Sequence, residues 1–268
     1  MKKLILNIYR RLFVNETFSG FNRYLYTLSL KGLGINNYEN EYLSGESYFM
    51  NKLHLSEEDI IFDIGANIGN YANHVRKLFP NTAIYSFEPH PKIYEVLTKN
   101  CNDNIRLFNF GFGNEEKSLE LYDYAETEEG TEHASVYKDI FEKIYHKDTK
   151  SYTISIKTID NFVRENNIQK ITLLKTDTEG NDFSVLQGAK VSIENKLIDI
   201  IHFEFNSMNT SSRVFFRDFY YFLDDFNLYR LLPKGVIALI QYEPVYNEIF
   251  GYQNIVAIRK GCRFENIF

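Results

Sequence analysis

Two groups of acidic residues stand where a folded chain could use them on a ligand. In the first, the apolar run Ile60, Ile61, Phe62 ends in Asp63-Ile-Gly65-Ala66-Asn67-Ile-Gly69. About twenty residues on, Tyr85-Ser-Phe runs into Glu88-Pro89. An apolar run closed by a glycine turn reads as a buried parallel strand, a tight bend and the first turn of a helix. Gly65 and Gly69 would let the backbone approach a ligand, with the N–H groups of a helix start behind them. Glu88 falls where α/β sheets grip the two hydroxyls of a ribose. In the second group, Ile171 to Leu174 leads into Lys175-Thr-Asp177-Thr-Glu179-Gly180-Asn181-Asp182, and Leu197 to Phe205 precedes Asn206. Strand alternation puts His202, Glu204 and Asn206 on one face and Ile201, Phe203 and Phe205 on the other. An acid on a central strand needs a partner or a task. Glu204 is therefore either a site residue or half of a buried ion pair with Lys175 or Arg213. His202, deeper in the strand, either serves the site or bonds within the core.

The first group does not fit a dinucleotide. G-x-G-x-x-G is required for one, and Ala66 and Asn67 stand in the crowded middle of this turn. Asp63 at the strand end would repel a phosphate and suit a cation. S-adenosylmethionine, with a positive amino group and sulfonium, meets that condition: Asp63 would lie near its methionine end while Glu88 holds its ribose. Gly111-Phe-Gly113-Asn114 closes the third strand, where a turn can wrap the adenine.

These positions require a scaffold, and the patterning supplies one. Strand 60–64, helix 67–79, strand 83–87, helix 90–100 and strand 105–110 make a right-handed βαβαβ half. Strands near 118–122 and 152–156 flank an acidic excursion, Glu126 to Gly130, followed by His133, which reads as a lid or surface loop. Helix 158–166, strand 171–176, helix 183–195 and strand 197–205 follow. Helix 213–224 and strands 228–232, 236–242 and 254–258 complete a mixed sheet, with the last strand antiparallel at or near an edge. The acids at 177 and 179 end a strand expected beside the first one.

Length and composition bound the rest. A chain of 268 residues, 44% hydrophobic and 25% charged, suits one α/β domain with a small accessory segment. The division expected is a helical accessory segment, 1–55, and a catalytic domain, 56–268. A net charge of −6 without a long basic run disfavours nucleic acid as a partner. Cys101 and Cys262 show neither zinc nor disulfide spacing, which fits a reducing cytoplasm. Before residue 35, Lys2, Lys3, Arg10, Arg11, Arg23 and Lys31 face a single acid, Glu16, and Leu4, Ile5, Ile8 and Leu12 recur at helical spacing. These amphipathic helices read as a cap over the ligand site or a homodimer contact, with weak association to an anionic membrane surface as the alternative. No stretch reaches the length of a membrane span.

DIGANIGNY, SFEPHP, TIDNF, LLKTDTEGNDFSVLQGA and HFEFN, in this order and spacing, resemble the FkbM-type S-adenosylmethionine-dependent O-methyltransferases over about residues 55 to 260. The resemblance implies an α/β, Rossmann-like class I methyltransferase fold: a seven-stranded, mainly parallel sheet of order 3-2-1-4-5-7-6 with helices on both faces. It implies methyl transfer to a hydroxyl, often of a sugar, nucleotide-sugar or surface-glycan precursor. Asp63, Gly65, Ala66, Asn67, Gly69, Glu88, Pro89, Gly111 and Asp177 would hold the cofactor, and Glu179, Asn206 and Arg213 the acceptor. An alcohol attacks poorly until its proton is removed. Asp177 or Glu204 would be the base, with His202 or His133 competing. Alternatively Asp177, Glu204 and Asn206 would bind magnesium or manganese, which lowers the hydroxyl pKa. Asp182 departs from the glutamate many members carry there. The rival expectations are a nucleotide-sugar glycosyltransferase and a non-catalytic cofactor-binding protein.

Overall fold

The computed structural model describes residues 2–101, 104–124, 134–137 and 148–268. Eleven strands are described: β1 Ile60–Ile64, β2 Ala83–Phe87, β3 Ile105–Phe108, β4 Gly111–Phe112, β5 Lys117–Tyr124, β6 Thr149–Lys157, β7 Ile171–Thr176, β8 Ile198–Phe205, β9 Phe226–Leu232, β10 Gly235–Ala238 and β11 Gln253–Arg259. Eight of them form one sheet of order β10-β9-β11-β8-β7-β1-β2-β3. Removing β10 leaves the expected seven-strand order. The eighth strand is a hairpin addition, β10 pairing antiparallel with β9 at the outer edge. β11 is antiparallel and near one edge as expected, inserted between β8 and β9. Its residues Gln253 to Ile258 are all buried, as an interior strand demands.

The central strands are apolar because both faces are covered. All six residues of β7 are buried, and one core face gathers Phe62, Phe87, Leu174, Ile201 and Phe203 while the other gathers Ile61, Leu173, Ile200 and Val256. Many of the aromatic residues are used here. Phe87 sits at the centre of a ring cluster, with Phe112 4.7 Å, Phe62 5.2 Å and Phe162 5.2 Å away.

The expected helices form with shifted limits. That at 67–79 is confined to Asn70–Leu78, and that at 183–195 divides into Asp182–Gln187 and Lys190–Glu194. β4, β5 and β6 make a second, three-stranded sheet of order β4-β6-β5. The strands expected near 118–122 and 152–156 form the antiparallel pair β5 with β6, and the acidic excursion Glu126 to Gly130 between them lies outside the described residues. The expected boundary at residue 55 is not a packing boundary. Phe49, Met50 and Leu53 are buried in the same cluster as Ile61 and Val256.

Candidate functional site

β1 is flanked by β2 on one side and β7 on the other, so the chain reverses its direction of progress across the sheet at this strand. Open α/β sheets place their ligands at the carboxyl ends of the strands at such a point. A cleft opens there, lined by the Gly65-Ala66-Asn67 turn, by Glu88 and Pro89, and by Lys175, Asp177, Glu179 and Glu204.

Local backbone chemistry builds the turn at its base. The N–H groups of Gly65 and Ala66 both donate to the Phe87 carbonyl at 3.0 Å, which ties the end of β1 to the end of β2. Gly65 has φ +76°, and a Cβ there would lie 1.9 Å from the Asp177 carbonyl oxygen. No other residue fits between the ends of β1 and β7. Asn67 is also left-handed, at φ +49°, and its N–H donates to Glu88 Oε2 at 2.9 Å. The other Glu88 oxygen accepts the His90 N–H at 2.8 Å. Burial raises the Glu88 carboxyl to about 7 despite these two donors. Beside it, Ile93 from the helix Pro91–Asn100 and Phe112, Leu121, Ile154 and Ile156 from the three-stranded sheet supply an apolar wall.

The other end of the cleft is built from two layers of polar side chains. β1, β7 and β8 are in parallel register with Asp63 opposite Lys175 and Lys175 opposite His202. Side chains at matched positions share a face, so these three form a row across the sheet. All three are buried. Lys175 Nζ lies 3.6 Å from Asp63 Oδ1 and 3.3 Å from Asp177 Oδ2. Burial opposes the Lys175 charge, but Asp177, Asp63 and Glu46 outweigh it and hold the ammonium above its ordinary range. Two residues further along each strand, the second layer is Gly65, Asp177 and Glu204, and it reaches the cleft.

This layering decides which expected residues meet. Gly65, Ala66, Asn67, Glu88, Pro89, Gly111, Asp177, Glu179 and Glu204 all line the cleft. Asp63, expected beside the cofactor, does not: it lies one layer below and acts through Lys175. Gly69 does not line it either, and its Cα packs instead where a Cβ would meet Cys101 Sγ at 2.6 Å. His202 belongs to the lower layer. Its Nε2 lies 3.1 Å from Asn254 Oδ1, its ring packs edge-on to Phe49, and burial lowers it to about 4. It is buried in the core and does not line the cleft. Asn206 is turned back on the chain, its Oδ1 accepting the Met208 N–H at 2.8 Å and its Nδ2 donating to Glu204 Oε2 at 3.2 Å. It holds Glu204 and does not line the cleft. Arg213 is exposed and ends the helix Asn209–Ser212 in a left-handed conformation, away from the cleft lining. His133 lies outside the described residues. Asp182 accepts from Thr176 Oγ1 at 2.8 Å and from the Thr178 N–H at 3.1 Å, so it shapes the acidic turn from within.

The metal alternative finds no support among the described residues. Among the described residues no group of three or more His, Cys, Asp or Glu side chains is disposed to hold a metal ion. The expected donor set is incomplete there: the Asn206 oxygen accepts the Met208 N–H, and Asn206 does not line the cleft.

A model of the methyltransferase FkbM domain matches residues 63–231, which is more than half of the chain. The chain belongs to the FkbM methyltransferase domain family. Among curated relatives, Methyltransferase 1 of Beauveria bassiana is 25% identical over 146 residues, covering 49% of this chain and 59% of the relative. The hexuronic acid methyltransferase AglP of Haloferax volcanii is 25% identical over 137 residues, covering 49% and 50%. The chain therefore spans only part of the length of these relatives. Among solved structures, the methyltransferase FkbM of Methylobacillus flagellatus aligns with a TM-score of 0.46 at 15% identity, over 76% of this chain and 44% of that one.

Three cleft residues of this FkbM chain lie outside the matched span and were missed in the sequence. Glu41 comes from the short helix Glu41–Ser44, Glu46 from the short helix Glu46–Met50, and Tyr252 precedes β11. Burial, with Asp177 among its neighbours, raises Glu46 to about 7. A lone glutamate in a helix gives no sign of facing a cleft. The one local signal is Gly45, where a Cβ would meet Leu231 and Leu232 at 2.8 Å, showing that this turn is pressed onto the sheet.

Proposed function

We propose that this chain transfers a methyl group from S-adenosylmethionine to a hydroxyl oxygen of a sugar or sugar-containing acceptor. The observation that carries the reading is one cleft with Glu88 beside an apolar slot at one end and a carboxylate cluster at the other. The donor fits these residues: Glu88 keeps lone pairs for ribose hydroxyls, Ile93, Phe112, Leu121, Ile154 and Ile156 suit a flat base, and Asp177 suits a cationic amino group. Bound there, it would supply an electrophilic methyl carbon on a sulfonium.

The chain's own residues would prepare the acceptor. Glu204 is the candidate base. Burial raises its carboxyl well above the ordinary range, and Asp177, Glu179 and Glu46 raise it further. A carboxylate made more basic in this way is better matched to removing a proton than an ordinary one. The Asn206 amide fixes one Glu204 oxygen, leaving the other to receive the hydroxyl proton. Lys175, held between Asp63 and Asp177, sets the position of Asp177. A sugar acceptor is supported by the several carboxylates, which suit vicinal hydroxyls, and by the similarity to a hexuronic acid methyltransferase.

The reading is tested by calorimetric titration with S-adenosylhomocysteine, with and without magnesium or manganese, followed by a screen of nucleotide sugars for methyl acceptance. Binding that is indifferent to the metal, followed by turnover insensitive to a chelator, is expected. Absence of binding would overturn it.

A further inference from the structure

The helix Lys2–Phe13 buries none of its residues. Leu4, Ile8 and Leu12, one helical turn apart, are 64%, 50% and 54% exposed, and Ile5 beside them is 61% exposed. The helix nevertheless has a packed side. The Tyr9 hydroxyl donates to Asn22 Oδ1, and the Phe13 ring lies 5.0 Å from Phe18 and 5.8 Å from Phe21. This holds it against the next helix, Ser19–Gly32, and leaves the Leu4–Ile8–Leu12 stripe facing outward. The second helix adds Phe21, Tyr24 and Leu28 to the exposed apolar surface and is itself anchored through buried Leu30. None of these residues lines the ligand cleft, so the expected cap is not formed by these two helices.

We propose that this two-helix unit docks on an anionic lipid surface. Exposed apolar side chains in such a run mark a contact surface rather than an ordinary solvated face. Its charge selects the partner. Lys2, Lys3, Arg10 and Arg11 flank the stripe with no acid in the helix. Before residue 35 there are six basic residues to one acid, and the rest of the chain holds 24 basic and 35 acidic residues. An anionic surface attracts the helices and repels the body, which turns the stripe inward to the lipid. A symmetric contact with a second copy would instead set the basic residues of one helix against those of the other, with no acid in either to pair them. Among the described residues no helix is long and apolar enough to cross a membrane. The helix therefore lies along the interface, with the stripe among the acyl chains and the basic side chains at the headgroups. This inference does not depend on the proposed methyl transfer.

Flotation of the full chain with vesicles of phosphatidylcholine alone, or of phosphatidylcholine with phosphatidylserine, tests it. The serine-containing vesicles should carry the protein, the neutral ones about ten-fold less, and high salt should release it. The triple variant Leu4→Asp, Ile8→Asp, Leu12→Asp, and separately Lys2→Glu, Lys3→Glu, Arg10→Glu, Arg11→Glu, should each lose binding about ten-fold or more. An unchanged melting temperature would show that either variant is still folded. Wild-type protein left free of anionic vesicles, or variants that float as well as wild type, would overturn the proposal. So would a stable dimer in solution that the triple variant converts to monomer without any vesicle binding.

Discussion

Glu204 and Glu88 are both buried carboxylates at strand ends, yet their surroundings suit them to different work. Glu204 is surrounded by Asp177, Glu179 and Glu46, so its proton is held by burial and by like charge. Glu204→Gln keeps the hydrogen bond to Asn206 but cannot take a proton. It should lower kcat by about 10²–10³ while S-adenosylhomocysteine binding, read by calorimetry, stays near wild type. A base must be deprotonated to act, so kcat/KM should fall as the pH drops through the raised carboxyl range. Glu46→Gln removes one of the negative neighbours that raise Glu204, and the midpoint of the pH–rate profile should therefore move to lower pH. A midpoint that stays in place would separate Glu46 from the reaction. Glu88 is instead held by backbone N–H groups of Asn67 and His90. Glu88→Ala should weaken S-adenosylhomocysteine binding by about ten-fold or more, the scale of one or two charge-assisted hydrogen bonds. Unchanged binding would remove the ribose assignment.

At the scale of elements, the site exists because three parallel strands run in register. Asp63, Lys175 and His202 align across β1, β7 and β8, and the next outward positions, Gly65, Asp177 and Glu204, form the rim of the cleft. A change that parts β1 from β7 should therefore disable both ends of the site together. Gly65→Ala places a Cβ 1.9 Å from the Asp177 carbonyl at a residue with φ +76°. It should destabilise the fold by about 2 kcal/mol or more in urea unfolding and abolish measurable cofactor binding. Native stability in that variant would show that the two strand ends can move apart freely.

For the whole molecule, the N-terminal region divides by packing rather than by position. The helices before residue 33 stand largely exposed, while the segment from Glu41 to Leu53 packs into the core and delivers Glu46 to the cleft. Phe49→Ala should cost about 3–5 kcal/mol in urea unfolding, as for any large core side chain. Leu12→Ala should change stability by less than about 0.5 kcal/mol. Equal effects at the two sites would contradict the division.

Several features were legible in the sequence because local chemistry dictates them. An apolar run ending in Asp63-Ile-Gly65 must be a strand and a tight turn, and Glu88 follows where the next strand ends, so the Gly65–Glu88 end of the cleft was readable from pattern alone. The acids at 177 and 204 were readable for the same reason, since a carboxylate on an otherwise apolar strand is costly without a use. What the tertiary structure decided was depth and partnership. Asp63 and Gly65 are two residues apart, as are His202 and Glu204, yet in each pair only the outer residue reaches the cleft, and Lys175 between the two inner ones reaches it as well, a difference set by strands that meet only in the folded sheet. Asn206 looks like a donor in the sequence and is bound to its own turn in space. Glu46 carries no local mark, since a helical glutamate is ordinarily solvated. Only the packing of its helix against β9 and the neighbouring core turns it into the cleft.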